Sequence, residues 1–433
     1  MKKKLVLLLL LWVFHGIYLF SQPIYPYVKI DTLNFAQFDK NELVFSQDTS
    51  LLMPFFEKFN SVVTSGEGNI NIVHIGASHV QAGTFPHRIR KNLLEIFPAS
   101  VAGRGMIFPY SVARKSNNPA DYKVSSSTTF ELIRNVYSNL EKPLGVTGIA
   151  VYTSDTVAEI RISIPALDPE FITTRIHLFG FADSGRVIPT IRIDSLEYPP
   201  VVMDSAARKF IYEVQPFTDT FTLQIRNHTG GAFTITGILL DNGFPGITYH
   251  SLGVNGANVA SFLKCDYFVR DMQYLKPDMV IFGLGINDAS GDHFDTLEFV
   301  NNYLQLVDRI KEVNPECAFV FVTNNDSYKR IARGKYAVNK RGPVVREQFY
   351  KLASLTSGAV WDQFEIMGGL KSMDKWRIAS LAKTDRVHFT NQGYSLIGDL
   401  FTNAFLDAYW RWKLTQIDVP IDMEFMERQS VSD

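Results

Sequence analysis

The stretch NINIVHIGASHVQAG, Asn69–Gly83, changes character at its middle. Its first half is a short apolar run, rich in β-branched residues and closed by Gly76, which predicts a buried strand. The second half opens a turn of small residues that presents Ser78 with His79 beside it, and FPHRIRKNLLEIF, Phe85–Phe97, then returns to helical spacing. A buried strand feeding a helix is the unit of a parallel α/β sheet, and ligand sites in such sheets form beyond the carboxyl ends of the strands. Ser78 therefore has two readings: a nucleophile held at a strand end, or a cap for the helix that follows.

Working outward, SQDTSLLMPFFEKFNSVV (Ser46–Val63) predicts an amphipathic helix capped near Ser46 or Asp48. Between about Ser116 and Asn242 the rhythm changes. Segments such as GVTGIAVYTS, TTRIHLFGF, TFTLQIRN and FTITGILLDN are short, alternating and separated by Gly, Pro, Asp or Asn. They predict an antiparallel β-sandwich of seven or more strands. From GITYHSLGVNGA (Gly246–Ala257) the strand-helix alternation resumes, through the apolar strands DMVIFGLG and CAFVFVT, and ends in a helix over TNQGYSLIGDLFTNAFLDAYWRWK. One α/β domain split by a β insertion accounts for this order. The expected divisions are a leader over 1–21, a first α/β part over 22–115, the insert over 116–244, a second α/β part over 245–415 and an acidic tail over 416–433, read as a surface strand or frayed end.

At roughly 100 to 200 residues per domain, 433 residues leave room for two or three full cores. Hydrophobic residues at 46% and charged residues at 20% fit an ordinary globular chain. A net charge of −1 without basic runs offers no footprint for nucleic acid. The opening MKKKLVLLLLLWVFHGIYLFSQ has the layout of a secretory signal, lysines and then an apolar run cut short by His15 and Gly16, with cleavage expected near Ser21. Export to the periplasm or cell exterior, with no stable membrane span after cleavage, is the expectation. Cys265 and Cys317 are expected to be buried free thiols.

Three further blocks follow strand-like runs. SLGVNGAN (Ser251–Asn258) offers Gly253 and Gly256, whose backbone amides can approach a substrate oxygen closely, although a glycine turn needs no ligand. GINDASG supplies Asn287, an uncharged amide able to donate to an oxyanion, and Asp288; Asn-Asp is also plain turn chemistry. TDRVHFTNQGY places Asp385 three residues before His388, so that the carboxylate can reach one imidazole nitrogen while the other faces a nucleophile; a surface ion pair would look the same. The segment GRGMIFPY (Gly103–Tyr110) reads equally as site lining or as a buried connection, and His74 as a core histidine.

In the order Ser, Gly, Asn, Asp-x-x-His, each at a strand end, these blocks resemble the SGNH hydrolases, also called GDSL-type esterases, over about two thirds of the chain. The resemblance implies a flavodoxin-like three-layer αβα domain with a parallel sheet, interrupted here by the antiparallel β-sandwich. It implies Ser78 as nucleophile, His388 as general base and Asp385 as the group that orients it. The Ser78 amide, Gly256 and Asn287 would form the oxyanion hole, with Gly253 competing for the glycine role. His79, beside the nucleophile, is a rival for the base and reads as lining the pocket or lying just behind it, while Gln81 and Asp288 are candidate pocket residues; no metal or cofactor is implied. Ala77 departs from the family's Gly-Asp-Ser, whose aspartate is not a reacting group. With export and the insert, the pattern is similar to bacterial carbohydrate O-acetylesterases, including those acting on peptidoglycan, and implies an acetylated polysaccharide as partner. A polysaccharide O-acyltransferase and a non-catalytic glycan-binding protein are the alternatives. Insert aromatics Tyr152, Phe179 and Phe181 read first as sandwich core and second as sugar platforms.

Overall fold

The computed structural model describes residues 27–98, 102–114, 116–164, 171–217, 219–291 and 293–416. The leader over 1–21 and all but the first residue of the tail over 416–433 lie outside the described residues. Among the described residues no helix is long and apolar enough to cross a membrane.

A six-stranded sheet organises the α/β part. Its spatial order is Leu43–Phe45, Ala359–Trp361, Ala318–Val322, Met279–Gly283, Asn69–Gly76 and Gly246–Gly253. The last five strands run parallel, and Leu43–Phe45 closes one edge antiparallel to Ala359–Trp361. Alternation along each strand sends side chains to two separate cores. Ile70, Ile72, Met279, Ile281, Ala318 and Val320 pack with the helices Leu52–Ser65, Thr84–Ile96 and Asn391–Thr415. Val73, Ile75, Val280, Phe282, Phe319 and Phe321 pack on the opposite face with the helices Phe268–Leu275, Thr296–Lys311 and Gly342–Thr356. The result is the three-layer α/β/α arrangement.

Register at the carboxyl edge matters most for function. Gly76 is paired with Gly253 on one side and with Gly283 on the other. Three chain segments far apart in sequence thus leave the sheet at one level, and the residues that follow, through Ser78, Gly256 and Asn287, emerge together.

The antiparallel part consists of two sheets. One runs Leu196–Tyr198, Thr190–Ile193, Thr220–Arg226, Val157–Ser163, Lys123–Ser126; the other runs Val202–Asp204, Lys209–Phe217, Thr173–Ala182, Phe233–Asp241, Ile149–Thr153, Glu131–Arg134. Gly105–Ile107, ahead of residue 116, pairs with Ile238–Leu240, so the second sheet also recruits the GRGMIFPY segment. That segment is a buried connection and not part of the open cleft. Tyr110, for instance, is 4% exposed and donates its hydroxyl to the Gly253 carbonyl at 2.8 Å. One continuous apolar core joins Val73 and Ile75 of the parallel sheet to Ile149, Ile160 and Leu223 of the insert, which anchors the insert on the α/β layers.

Local readings are revised at one helix start and at two aromatics of the insert, and hold for Phe179 and the two cysteines. The helix over Leu52–Ser65 has Leu51 at its cap position with no side-chain capping bond; Asp48 accepts the Ser50 amide in the turn before it, and Pro54 fits the first helical turn, where its missing N–H costs nothing. Phe179 is core, but Tyr152 and Phe181 are only partly buried, and the Arg208 guanidinium covers the Phe181 ring at 4.1 Å. Cys265 and Cys317 are buried and unpaired.

Candidate active site

Ser78 begins the short helix Ser78–Gln81, and Ala77, which carries no capping oxygen, holds the cap position. The Ser78 hydroxyl instead lies 2.8 Å from Nε2 of His388, across 310 positions of sequence. The capping reading of Ser78 is therefore set aside. His388 sits in the loop before the closing helix, and its Nδ1 faces Oδ2 of Asp385 at 2.9 Å. The backbone amides of Val387 and His388 both donate to Oδ1 of Asp385 at 2.9 Å, so the carboxylate is fixed by its own loop. Partial burial works against ionisation there, but the hydrogen bonds from the His388 ring and from these two amides prevail and hold the Asp385 carboxyl well below the usual carboxylate range. A hydroxyl, an imidazole and a carboxylate in line can pass a proton from oxygen to nitrogen while stabilising the imidazolium that forms.

Gly253 and Gly256, alternatives in the sequence, have different jobs. A Cβ on Gly253 would meet the Gln81 amide nitrogen at 2.2 Å, so this glycine lets the Ser78–Gln81 helix sit directly on the neighbouring strand end. Gly256 has φ +83, in the left-handed region that favours glycine, and lines the cleft beside Ser78. Asn287 lines the same cleft, and one of its amide hydrogens goes to the Ala257 carbonyl at 2.8 Å, which fixes the plane of the amide. The cleft itself, about 580 Å³, also touches Gln81, Asn117, Asn118, Asn255, Lys383, Val387, Asn391 and Tyr394.

Of the three further pocket candidates, only Gln81 lines this cleft. Its Oε1 accepts the Asn255 amide at 2.7 Å and its Nε2 donates to the Asn117 carbonyl at 3.1 Å, so one side chain ties the loop before Gly256 to the segment entering the insert. At 4% exposure neither bond is readily replaced by water. Gln81→Met, similar in size without polar atoms, is expected to cost about 1–3 kcal/mol of stability in denaturant titration. As the Gly256 loop loosens, kcat on p-nitrophenyl acetate is expected to fall about tenfold.

His79 lies behind the reacting groups, one of the two places expected for it, and Asp288 is a correction. The His79 ring is buried behind the cleft, in a small cavity shared with Asn325 and Tyr394, and Nδ1 lies 2.8 Å from the Tyr394 hydroxyl. Burial, assisted by the neighbouring His388, pushes its pKa down to about 3, too low to hold a proton taken from serine. Asp288 turns away from the cleft and accepts the Val259 amide at 3.1 Å, holding the start of the helix Val259–Leu263. Burial raises its carboxyl from 3.8 to about 6. A folded-state pKa above the unfolded one means that the contribution to stability is complete below pH 3.8 and lost as pH rises through 6. Thermal melts of Asp288→Asn and the parent should therefore show the Tm difference moving in the variant's favour from pH 4 to pH 7.

The residues missed by sequence reasoning are Asn117, Asn118, Asn255, Lys383, Asn391 and Tyr394. Asn255, Asn391 and Tyr394 lie inside blocks already singled out and Lys383 borders one, whereas Asn117 and Asn118 fell at the start of the expected insert. His74 is fully buried, its Nδ1 2.9 Å from the Tyr249 hydroxyl.

Residues 226–396 match the GDSL-like lipase/acylhydrolase family. The matched span holds Gly256, Asn287, Asp385 and His388; Ser78 precedes it and joins it in space. Among solved structures, the chain is similar to a peptidoglycan O-acetylesterase, with a TM-score of 0.68 and 19% identity over 88% of this chain and 99% of that one. That likeness is one of fold. A family two carbohydrate esterase from Cellvibrio japonicus (TM-score 0.26, 9% identity, 67% of this chain and 99% of that one) and a lipase/acylhydrolase from Enterococcus faecalis (TM-score 0.29, 21% identity, 38% and 77%) are too distant to support an inference. No curated protein matches the chain.

Proposed function

We propose that this chain, which belongs to the SGNH hydrolase family of GDSL-like lipases and acylhydrolases and is an ester-hydrolysing enzyme, removes O-acetyl groups from a polysaccharide outside the cytoplasm. The observation that carries the chemistry is the 2.8 Å approach of the Ser78 hydroxyl to His388 beside an open cleft. Ser78 Oγ attacks the acetyl carbonyl carbon as its proton passes to His388 Nε2. The negative charge on the former carbonyl oxygen is met by the Ser78 and Gly256 amides and the free hydrogen of the Asn287 amide, donors in place before the charge appears. Collapse breaks the bond to the sugar oxygen, which takes the proton from His388 and leaves. Water then attacks the acetyl-serine, again giving its proton to His388, and acetate departs as Ser78 recovers its hydrogen. Asp385 holds the imidazole in the tautomer that both half-reactions need.

A sugar substrate is supported by the lining: Asn117, Asn255 and Asn391 offer side-chain amides suited to hydroxyl and acetamido groups. Peptidoglycan is the polymer we favour, because the overall fold similarity extends across the insert to an enzyme acting on it. The lysine-led apolar leader supports export. Ala77, in place of the family's aspartate, is fully buried among apolar side chains and takes no part in the proton path.

The test is acetate release from O-acetylated peptidoglycan and from acetylated xylan, with Ser78→Ala and His388→Ala as controls. Release from peptidoglycan by the parent alone supports the proposal. Release of no acetate from either polymer, with p-nitrophenyl acetate still cleaved, would overturn the polysaccharide assignment. Transfer of acetyl to an added sugar at the expense of free acetate would instead identify an acyltransferase.

A further inference from the structure

Among the described residues the cleft is lined by one cation, Lys383, and by no Asp or Glu. The backbone of Lys383 is held at both ends of its own turn: its amide donates to the His388 carbonyl at 2.7 Å and its carbonyl accepts the Arg386 amide at 3.1 Å. The root of the side chain is thus fixed to the loop that carries the base. Its ammonium makes no ion pair or hydrogen bond among the described residues. Nearby cations are engaged. Arg386 bonds Asp374 at 2.7 Å and stacks on Tyr336 at 4.4 Å, and Arg377 bonds Asp374 at 2.9 Å. A lysine on an ordinary surface is solvated and selects nothing; this one shares with Ser78 and His388 a cleft that no carboxylate lines, the Asp385 carboxylate being turned to the far side of the His388 ring and held there by its own loop.

Neutral amides discriminate hydroxyl and acetamido groups by hydrogen-bond geometry, whereas an ammonium is a point charge that favours an anion. We infer that Lys383 selects glycans that carry a carboxylate close to the O-acetyl ester. This deepens the polysaccharide reading and rests on it. Because the side chain is exposed, the preference should be modest, about three- to fivefold, and should shrink with ionic strength.

The test compares how an oligogalacturonate, and the same oligomer with its carboxylates converted to amides, inhibit cleavage of p-nitrophenyl acetate by the intact enzyme. Reading the ratio of the two inhibition constants cancels any change in the basal rate. The parent should bind the acidic oligomer about three- to fivefold more tightly. Lys383→Gln should bring the ratio to about one, Lys383→Arg should keep it, and high salt should erase it in the parent. Equal inhibition by the two oligomers, no inhibition by either, or a ratio unchanged in Lys383→Gln would overturn the inference. Acetate release from peptidoglycan is scored separately, so deacetylation without charge preference would sink the role of Lys383 and leave the esterase reading standing.

Discussion

Ser78→Ala is expected to lower kcat for acetyl-ester hydrolysis by roughly 10⁴- to 10⁶-fold, and His388→Ala by a comparable factor. The two side chains form one proton-transfer unit, separated by 2.8 Å, so removing either disables the same step. The double variant should therefore be about as slow as the worse single variant, since effects within a unit do not add. Residual catalysis from the oxyanion donors should remain. Both side chains are partly exposed at the cleft, so melting temperatures should stay close to that of the parent, and the loss can be read as chemistry. Steady-state kinetics on p-nitrophenyl acetate, with circular-dichroism melts of the same samples, make the measurement.

Asn287→Ala carries the second largest effect, a fall of about 10²- to 10³-fold in kcat with little change in KM. Its side-chain amide is oriented by the Ala257 carbonyl at 2.8 Å, so its second hydrogen is committed in advance to one direction. Such a donor strengthens its bond only as the carbonyl oxygen gains charge, which lowers the barrier without tightening the ground state. Asn287→Asp should be at least as damaging, because an acceptor then replaces the donor beside the developing negative charge. A variant that raised KM at constant kcat would show instead that Asn287 merely binds substrate.

The parallel sheet was legible because strands buried on both faces become nearly continuous apolar runs: Met279–Phe282 and Ala318–Val322 are unbroken, and Ile70–Ile75 is interrupted only by Asn71 and the buried His74. Glycine at the end of two of those strands, and at Gly253, signalled where the chain leaves the sheet. The roles of individual residues at those exits were less legible. Gly253 and Gly256 look alike in sequence and differ only because one meets the Gln81 backbone and the other adopts φ +83. His79 sits next to Ser78 in the chain, yet the closing helix, through Tyr394, buries its ring behind the cleft. Asn117 and Asn118 reached the cleft unannounced. Their segment is drawn against Ala82 and Gln81 by the Ala120 amide and the Gln81 side chain, and is anchored by Asp121 on the buried Arg90 and Arg104. None of these contacts has a local sequence pattern. The hairpin of Tyr328–Ala332 and Lys335–Val338 escaped notice for a related reason: its strands bury no side chain completely and so leave no hydrophobic period to read.

Everything above depends on the sheet delivering one hydroxyl to one imidazole for covalent chemistry. Acid-quenching the enzyme during turnover of p-nitrophenyl acetate, followed by peptide mapping by mass spectrometry, tests this most directly. The account predicts a single acetyl group on the peptide containing Ser78, on that residue, and its absence from Ser78→Ala. Undiminished turnover by Ser78→Ala, with the acetyl group found on another residue, would contradict it.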